Sequence, residues 1–180
     1  MNLSDSKAKD DSRMQSLSAD FRDAFRAHPA GVALITATVD GIPYGLTISS
    51  LASLSIDPVA VSFSLTKESG AAGAVLAANT FMIHMLGEDH EELADNFARP
   101  GAPRFTIDQG WTFLPTGEPY FDKAPAALRA QIHSSISVGG SRLIAAEILE
   151  VIKGEPAQHL VHQNRKYLKL PTLLPDTAQG

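Results

Sequence analysis

Apolar residues in the middle of the chain fall into short runs that are separated by Gly, Pro, Asp or Ser. Runs of this kind, rich in Val, Ile, Leu and Phe, are typical of β-strands bounded by turns. Asp40-Gly41 lies between two of them and indicates a tight hairpin turn, because Gly tolerates the positive φ that such a turn needs. The pattern predicts strands at residues 32–39, 42–48, 59–65, 80–86, 127–138 and 143–152.

Helical patterns are fewer and shorter. In the first of them Phe21 and Phe25 lie one turn apart, and Pro29 ends the helix because the residue before a proline avoids the helical region. Ser69 is a suitable N-cap for a second, Ala-rich helix. Residues 100–125, rich in Pro, Gly and aromatic residues, predict a long loop with little regular structure. The predicted helices cover residues 18–28, 71–78 and 88–99.

Many strands with few helices indicate a mainly β fold, an antiparallel barrel of Greek-key type with short flanking helices. The chain shows no alternation of strands with long helices, so a doubly wound parallel sheet is the weaker alternative. Residues 1–17 are polar and offer little to a core, which predicts a disordered tail, and residues 171–180 are predicted to be a second tail. Residues 18–170 form the single predicted domain.

Composition and charge exclude several classes of protein. The 180 residues carry a net charge of −5 without a basic stripe, so nucleic acid is not an expected partner. The absence of Cys excludes disulfides, thiolate metal sites and cysteine nucleophiles. No apolar run approaches the roughly 18–20 residues that span a bilayer, and the N-terminal segment lacks a signal-peptide core. We therefore expect a cytoplasmic protein that does not enter a membrane.

Motifs for familiar catalytic or metal chemistry are missing. No G-x-G-x-x-G follows a strand, no Gly-Lys-Ser/Thr follows the Gly-rich segment at 70–73, and no G-x-S-x-G elbow is present. The segment beginning at His90 starts like a zincin helix, but Ala94 stands where the second His would be. The six His residues show no metal-site spacing. Neither a metal site nor a catalytic side chain is predicted.

The stretch "GLTISSLASLS" at residues 45–55 is unusual because it carries many hydroxyls between two predicted strands. These hydroxyls have two interpretations. They can satisfy the backbone of a loop at the rim of the barrel. They can also form a cradle for a cofactor or an anion, since hydroxyls and backbone N–H groups hold phosphate oxygens without a large fixed charge.

The order of motifs along residues 21–170 resembles the flavin reductase-like family, which has the FMN-binding split-barrel fold. That family includes the reductase components of two-component flavin-dependent monooxygenases. The resemblance implies a split barrel in which a hydride passes from NADH or NADPH to the N5 atom of FMN or FAD, while the protein holds the two rings together and excludes water. The similar segments are "PAGVALIT", "DG", "GLTISSLASLSIDP", "KES", "ANTFMIHML", "LADNFA", "GEPYFDKAPAAL" and "HLVHQNRKYLKL".

The resemblance also implies which residues hold the flavin. Hydroxyls and backbone of the Ser/Thr-rich stretch would line the cofactor, and Lys67 would face its phosphate. Arg104 would add a fork-shaped donor for phosphate oxygens. The cofactor-binding residues implied in this way are Thr47, Ser49, Ser50, Leu51, Ser62, Phe63, Ser64, Lys67, Ser69, Phe97 and Arg104.

One segment departs from the family pattern. Many members carry Gly-Asp-His before a late strand, and its His is associated with the nicotinamide side of the flavin, whereas this chain reads Gly139-Gly140-Ser141. Ser can form hydrogen bonds but cannot carry charge or shuttle a proton near neutral pH. Ser141, Arg142 and His28 are the candidates for the nicotinamide side.

The resemblance further implies a homodimer with the pocket at its interface, and a partner monooxygenase that consumes the reduced flavin. Two alternatives stay open. One is a flavin-binding electron carrier that does not use NAD(P)H, which the missing Asp-His pair favours. The other is a split-barrel binding protein with an altered pocket. The sequence does not distinguish FMN from FAD or NADH from NADPH.

Overall fold

The computed structural model of the chain describes residues 3–66 and 68–170, with the side chains of its first helix described from residue 12. The α-helices are α1 (Leu3–Ala27), α2 (Gly70–Ala77) and α3 (Glu91–Ala98), and a short 3₁₀ helix covers Ile107–Gln109. In chain order the strands are β1 (Ala30–Gly31), β2 (Ala33–Val39), β3 (Ile42–Ile48), β4 (Ala52–Ile56), β5 (Val59–Leu65), β6 (Phe81–Met85), β7 (Trp111–Phe113), β8 (Pro119–Phe121), β9 (Ala126–Val138), β10 (Ser141–Lys153), β11 (Val161–Gln163) and β12 (Lys166–Leu168).

Seven antiparallel strands form the main sheet in the order β3-β2-β6-β9-β10-β5-β4. Side chains from strands near both edges of this order pack into one buried cluster, which the sheet can achieve only by curling round on itself. The antiparallel, mainly β barrel predicted from the sequence is therefore confirmed. Five strands contribute large side chains to this cluster, among them Ile35, Phe63, Ile83, Leu128 and Ile144.

The predicted strands of the barrel are present, with shifts of a few residues at their ends. At the first hairpin Val39 pairs with Ile42, and Asp40 and Gly41 have φ angles of 51° and 75°, as a tight turn requires. The Ser-rich stretch contributes an additional strand, β4, which pairs with β5. The Ser side chains leave the backbone N–H and C=O groups of β4 free to pair with β5, so a Ser-rich stretch can form a strand.

A second apolar cluster covers the outer face of β2. Leu34 alternates along β2 with side chains of the barrel core, so it points to the opposite face, where it packs with Phe97 and Phe121. The segment 100–125, predicted as a loop, contains the 3₁₀ helix and the β7–β8 pair. Most of the segment is irregular, as predicted, and its short elements form because aromatic residues such as Trp111 pack into this cluster.

A separate three-stranded sheet has the order β1-β11-β12. In it Ala30 pairs with His162 and Gly31 with Val161, so the last part of the chain is joined to the segment that follows α1. The segment "HLVHQNRKYLKL", which resembles the family, contains two short paired strands joined by Asn164 and Arg165. Both turn residues have positive φ, 52° and 61°, as in a two-residue type I′ hairpin.

The N-terminal helix differs most from the prediction, because α1 begins at Leu3 where a disordered tail was expected through residue 17. The segment contains no Gly or Pro, and between its Ser and Asp residues it carries the helix-favouring residues Leu, Lys, Ala, Arg and Met. From residue 12 onward almost all of its side chains are exposed, so the helix forms without joining the core. The predicted tail at 171–180 lies outside the described residues. Across residues 3–66 and 68–170, no helix combines the length and apolar character needed to cross a bilayer.

Candidate functional site

The link between β3 and β4 opens onto a surface cavity of about 630 Å³, which we call the hydroxyl cavity. Three of its residues belong to that link, and Ser64 lies at the end of β5. The opposite wall is formed by the end of α1, by β1 and by β11. The cavity is lined by Phe25, His28, Pro29, Ala30, Gly31, Ser49, Ser50, Leu51, Ser64 and His162.

A pair of serines holds this side of the cavity together. The backbone N–H of Ser64 donates to Oγ of Ser50 at 3.0 Å, and the Ser50 hydroxyl lies 3.4 Å from the carbonyl oxygen of Ser64. Ser49 and Ser50 are both exposed. The link between the strands therefore has a fixed position, while its hydroxyls remain accessible to a ligand.

The hydroxyl cavity lies outside the barrel. Phe63 and Leu65 are buried in the barrel core, and side chains alternate along a strand, so Ser62 and Ser64 point to the outer face of β5. Phe63 contacts Phe81 edge-to-face with 5.9 Å between ring centroids. The sequence grouped residues 62–64 as one flavin-lining set, whereas the structure places Phe63 in the core and only the two serines on the outer face.

An apolar recess of about 200 Å³ adjoins the hydroxyl cavity and shares Gly31 and Leu51 with it. A Cβ added to Gly31 would meet nothing within 4 Å, so the backbone itself is open to a ligand at this point. An apolar recess next to a hydroxyl-lined cavity fits a molecule with a flat ring and a polar chain, as flavins have. The remaining lining residues of the recess are Val32, Ala33, Met85 and His159.

Charge separates this cavity from two others of similar size. A cavity of about 740 Å³ beside α3 and β12 is lined by five carboxylates and four Arg or Lys side chains, and one of about 750 Å³ near the 3₁₀ helix is lined by three carboxylates and one Lys. Among the residues that the structure describes, no acidic side chain lines the hydroxyl cavity. Because carboxylates repel phosphate, a lining without them is compatible with a phosphorylated ligand. A further cavity of about 600 Å³, which Arg104 lines, shares this property.

Comparison with known proteins identifies the family. A sequence profile described as flavin reductase like domain matches residues 25–171. The chain belongs to the flavin reductase-like family. The family predicted from the sequence is thus confirmed.

Relatives of this flavin reductase-like protein cover most of its length. An NADH:FMN oxidoreductase of Rhodococcus qingshengii is 35% identical over 157 residues, covering 84% of this chain and 82% of that protein. The reductase component of a 4-nitrophenol 4-monooxygenase/4-nitrocatechol 2-monooxygenase from Rhodococcus opacus is 36% identical over 136 residues, covering 76% and 72%. The crystal structure of a flavin reductase domain protein from Arthrobacter sp. FB24 superimposes with a TM-score of 0.80 at 32% identity, covering 88% of this chain and 99% of that one.

Thr47 of this flavin reductase-like protein lies away from the hydroxyl cavity. It pairs with Leu34, whose side chain packs in the second cluster, and its hydroxyl donates to the carbonyl oxygen of Ala94 at 2.6 Å. The hydroxyl thereby ties β3 to α3. The implied role of Thr47 as a flavin contact is not supported by this geometry.

Phe97 and Arg104 also lie elsewhere. Phe97 is buried between Phe105 and Trp111, and a Cβ on Gly45 would come within 2.5 Å of its ring. The Arg104 guanidinium donates to the carbonyl oxygens of three residues and lies 5.6 Å from the centre of the Phe97 ring. These donors anchor the chain after α3 rather than facing the hydroxyl cavity. The three acceptors are Asn96 at 3.2 Å, Gly45 at 3.2 Å and Arg99 at 2.8 Å.

The expected phosphate side of the flavin reductase-like site lies near the N-terminus of α2. Ser69 is the N-cap of α2 and makes no capping hydrogen bond through its side chain. Lys67 lies outside the described residues. Arg142 pairs with Leu65 across the sheet, and its Nη2 forms an ion pair with Oε1 of Glu68 at 2.7 Å. The Nε of Arg142 is buried and has no hydrogen-bond partner within residues 3–66 and 68–170.

The nicotinamide-side candidates are divided between two places. His28 lines the hydroxyl cavity, whereas Ser141 and Arg142 do not. His162 also lines the cavity and was missed by the sequence analysis. The sequence feature that could have identified His162 is the segment "HLVHQNRKYLKL", which contains this residue and resembles the family. His162 reaches the site because it pairs with Ala30. A pairing between residues so far apart in the sequence could not be predicted.

Proposed function

We propose that this protein is an NADH-dependent flavin reductase that transfers a hydride from NADH to FMN held at the hydroxyl cavity. The observation that carries the proposal is the pairing of a hydroxyl-lined cavity, free of acidic lining residues, with an apolar recess open at Gly31. The prediction of a flavin reductase is confirmed by the family and by its relatives. The choice of NADH and FMN follows the relative described as an NADH:FMN oxidoreductase.

The residues of the two adjoining spaces have complementary roles in this proposal. Leu51 lines both, so it would pack against the ring at the boundary between the apolar recess and the hydroxyl cavity. Ser49, Ser50 and Ser64 would form hydrogen bonds with the polar chain. Bound flavin supplies the hydride acceptor.

Arg142 lies beside the loop before α2, because it pairs with Leu65 and contacts Glu68. Its ion pair with Glu68 fixes the guanidinium, and its buried Nε has a hydrogen bond still to make. A phosphate oxygen satisfies such a donor well because charge-assisted hydrogen bonds are strong. We assign Arg142 to phosphate rather than to nicotinamide.

Hydride transfer between two bound rings requires no acid or base from the protein. The contribution of this chain is therefore to hold both rings in contact and to exclude water. His28 and His162 lie on the wall opposite the serines, so they would contact the nicotinamide nucleotide.

A homodimer would cover the outer face of the barrel next to the hydroxyl cavity. On this face Ser64 pairs with Leu143, which pairs in turn with Ile136. Leu143, Ile136 and the nearby Val138 are all exposed, so an apolar strip continues directly from the cavity across β10 and β9. A second copy of the chain packed on this strip would shield both the strip and the bound rings from water.

The reduced flavin would serve a flavin-dependent monooxygenase. Support comes from the Rhodococcus opacus relative, which is the reductase component of a monooxygenase. A flavin-binding electron carrier is the second candidate function, and the specific observation in its favour is the Gly140-Ser141 pair where the family has Asp-His. The two candidates differ in whether NADH is oxidised.

The proposed function is tested by following NADH oxidation with and without added FMN at fixed protein concentration. We expect oxidation that depends on FMN and greatly exceeds the protein-free rate.

Sedimentation of the wild type and of Leu143→Lys tests the dimer in the same preparation, and we expect the variant to be monomeric. FMN titration of the same preparation distinguishes the two candidate functions. FMN binding without NADH oxidation would favour the electron carrier, and no FMN binding would reject both candidates.

A further inference from the structure

An exposed aromatic pair stands at the edge of the hydroxyl cavity. The rings of Phe21 and Phe25 lie one helical turn apart on α1, with 4.5 Å between centroids, and the residues are 59% and 62% exposed. Phe25 lines the cavity, and its ring meets His28 edge-on at 6.2 Å. The aromatic surface is therefore continuous with the site.

The end of α1 is fastened to the body of the protein. The backbone N–H of Asn164 donates to the carbonyl oxygen of Arg26 at 2.8 Å. The side-chain amide of Gln163 donates to the carbonyl oxygen of Ala27, also at 2.8 Å. Both donors belong to the β11–β12 hairpin, which also carries His162. The aromatic pair is thus held in a set position relative to the cavity although its rings are exposed.

Aromatic rings are confined to the end of α1 that lines the cavity. The exposed apolar stripe of the helix continues away from the cavity as Leu17 and Met14, which are aliphatic. An exposed aromatic face stacks well on a nucleobase, because every base presents a flat π surface. The position of Phe21 and Phe25 is therefore better explained by a base than by a general apolar contact along the helix.

We propose that Phe21 and Phe25 form a stacking surface for the adenine of an adenine dinucleotide bound at the hydroxyl cavity. The inference rests on the proposed function for the identity of the site. His28 and His162 line the same cavity as Phe25, and they can form hydrogen bonds with the phosphates that join the two halves of such a ligand. Both NADH and FAD carry this adenine, and the experiment distinguishes them.

The first arm of the test compares NADH with reduced nicotinamide mononucleotide, which lacks adenine, using FMN as acceptor. For Phe25→Leu we expect the KM for NADH to rise about tenfold while kcat stays within about twofold and the KM for the mononucleotide is unchanged. Phe25→Trp, which keeps an aromatic face, should restore the wild-type KM. Met14→Ala, on the same stripe but remote from the cavity, should match the wild type.

The second arm compares the affinities of the same variants for FAD and FMN by titration calorimetry. If the adenine belongs to FAD, Phe25→Leu weakens FAD binding about tenfold, leaves FMN binding unchanged and leaves the KM for NADH unchanged. Either pattern supports the stacking surface.

Unchanged values in both arms overturn the stacking surface, as does a Phe25→Leu variant that sediments as a monomer where the wild type is a dimer. A wild type that oxidises no NADH rejects the proposed function, whereas an active wild type with an insensitive variant rejects the stacking surface alone.

Discussion

Polar side chains lie both at the hydroxyl cavity and beside the second apolar cluster, beneath α3. The two groups differ in whether their hydrogen-bonding atoms are already paired within the fold. Beneath α3, the hydroxyl of Thr47 and the guanidinium of Arg104 donate to backbone carbonyls of the same chain. In the cavity, Ser49 and Ser50 are exposed, and within residues 3–66 and 68–170 the Ser50 hydroxyl bonds to Ser64 alone. Polar atoms that are satisfied within the fold hold it together, whereas accessible ones are available to a ligand.

This difference has a measurable consequence. Substitutions beneath α3 should lower the free energy of unfolding without changing flavin affinity, and substitutions in the cavity should do the reverse. The family resemblance alone assigns Thr47, Arg104 and the serines to one site. Variants that change either the free energy of unfolding or the flavin affinity, but not both, show which of these residues stabilise the fold and which bind the ligand.

The largest expected effect comes from His84, which is buried behind the second cluster. Its Nδ1 lies 3.2 Å from the carbonyl oxygen of Leu34, and its Nε2 accepts from the backbone N–H of Phe121 at 3.1 Å. The ring is therefore held neutral with the proton on Nδ1. Burial lowers the pKa of His84 from 6.5 to about 4, although the hydrogen bond to Leu34 acts in the opposite direction.

Because the unfolded chain protonates His84 first, stability is fully present above about pH 6.5 and is lost as the pH falls toward 4. The loss attributable to His84 is about 3 kcal/mol. Urea unfolding at pH 7 and pH 4 measures it against His84→Gln, whose amide can donate and accept but does not titrate. We expect the variant to lose less stability than the wild type over this range. Equal losses would show that His84 does not control acid unfolding.

Arg104→Ala should be the most destabilising of the substitutions beneath α3. It removes three charge-assisted hydrogen bonds to backbone carbonyls, and we expect a loss of about 2 kcal/mol in the free energy of unfolding. FMN affinity should stay within about twofold of the wild type. Arg99→Ala is the control, because it removes only an exposed ion pair with Asp95 and should cost less than about 0.5 kcal/mol. A stable Arg104→Ala variant with weakened FMN binding would instead support the role implied by the resemblance.

Thr47→Val should have a smaller effect of the same kind. The substitution keeps the shape of the side chain but removes the hydrogen bond to the carbonyl oxygen of Ala94, so we expect a loss of about 1 kcal/mol and no change in FMN affinity. Thr112→Val removes an exposed hydroxyl that bonds to Tyr120 and should change stability by less than about 0.5 kcal/mol. Thermal unfolding and FMN titration of both variants make the comparison.

The sequence predicted the barrel and its first hairpin because these depend on local patterns, whereas the family resemblance directed attention to the serines. Apolar alternation specifies which residues of β5 face the core, and Asp40-Gly41 specifies the turn. The stretch at 45–55 was treated as one unit, although Thr47 still belongs to a strand while Ser49 and Ser50 follow its end. That change from strand to link turns neighbouring hydroxyls toward different parts of the molecule.

Other features could not be predicted because they depend on contacts between distant segments. His162 reaches the cavity through the pairing of β1 with β11, and Phe25 through hydrogen bonds between the end of α1 and the β11–β12 hairpin. The carbonyl acceptors of Arg104 likewise come from three separate positions. A side chain rich in donors can therefore be recognised in a sequence, but whether those donors are satisfied within the fold is decided by tertiary structure.

The most direct test of the account is an anaerobic stopped-flow measurement of FMN bleaching by NADH. It compares the wild type with Ser49→Ala/Ser50→Ala and with Thr47→Val over a range of FMN concentrations. We expect rapid bleaching by the wild type and by Thr47→Val, and about a tenfold higher FMN requirement for the double serine variant. Normal FMN dependence in the serine variant together with a weakened Thr47→Val variant would contradict it, and would place the flavin beneath α3.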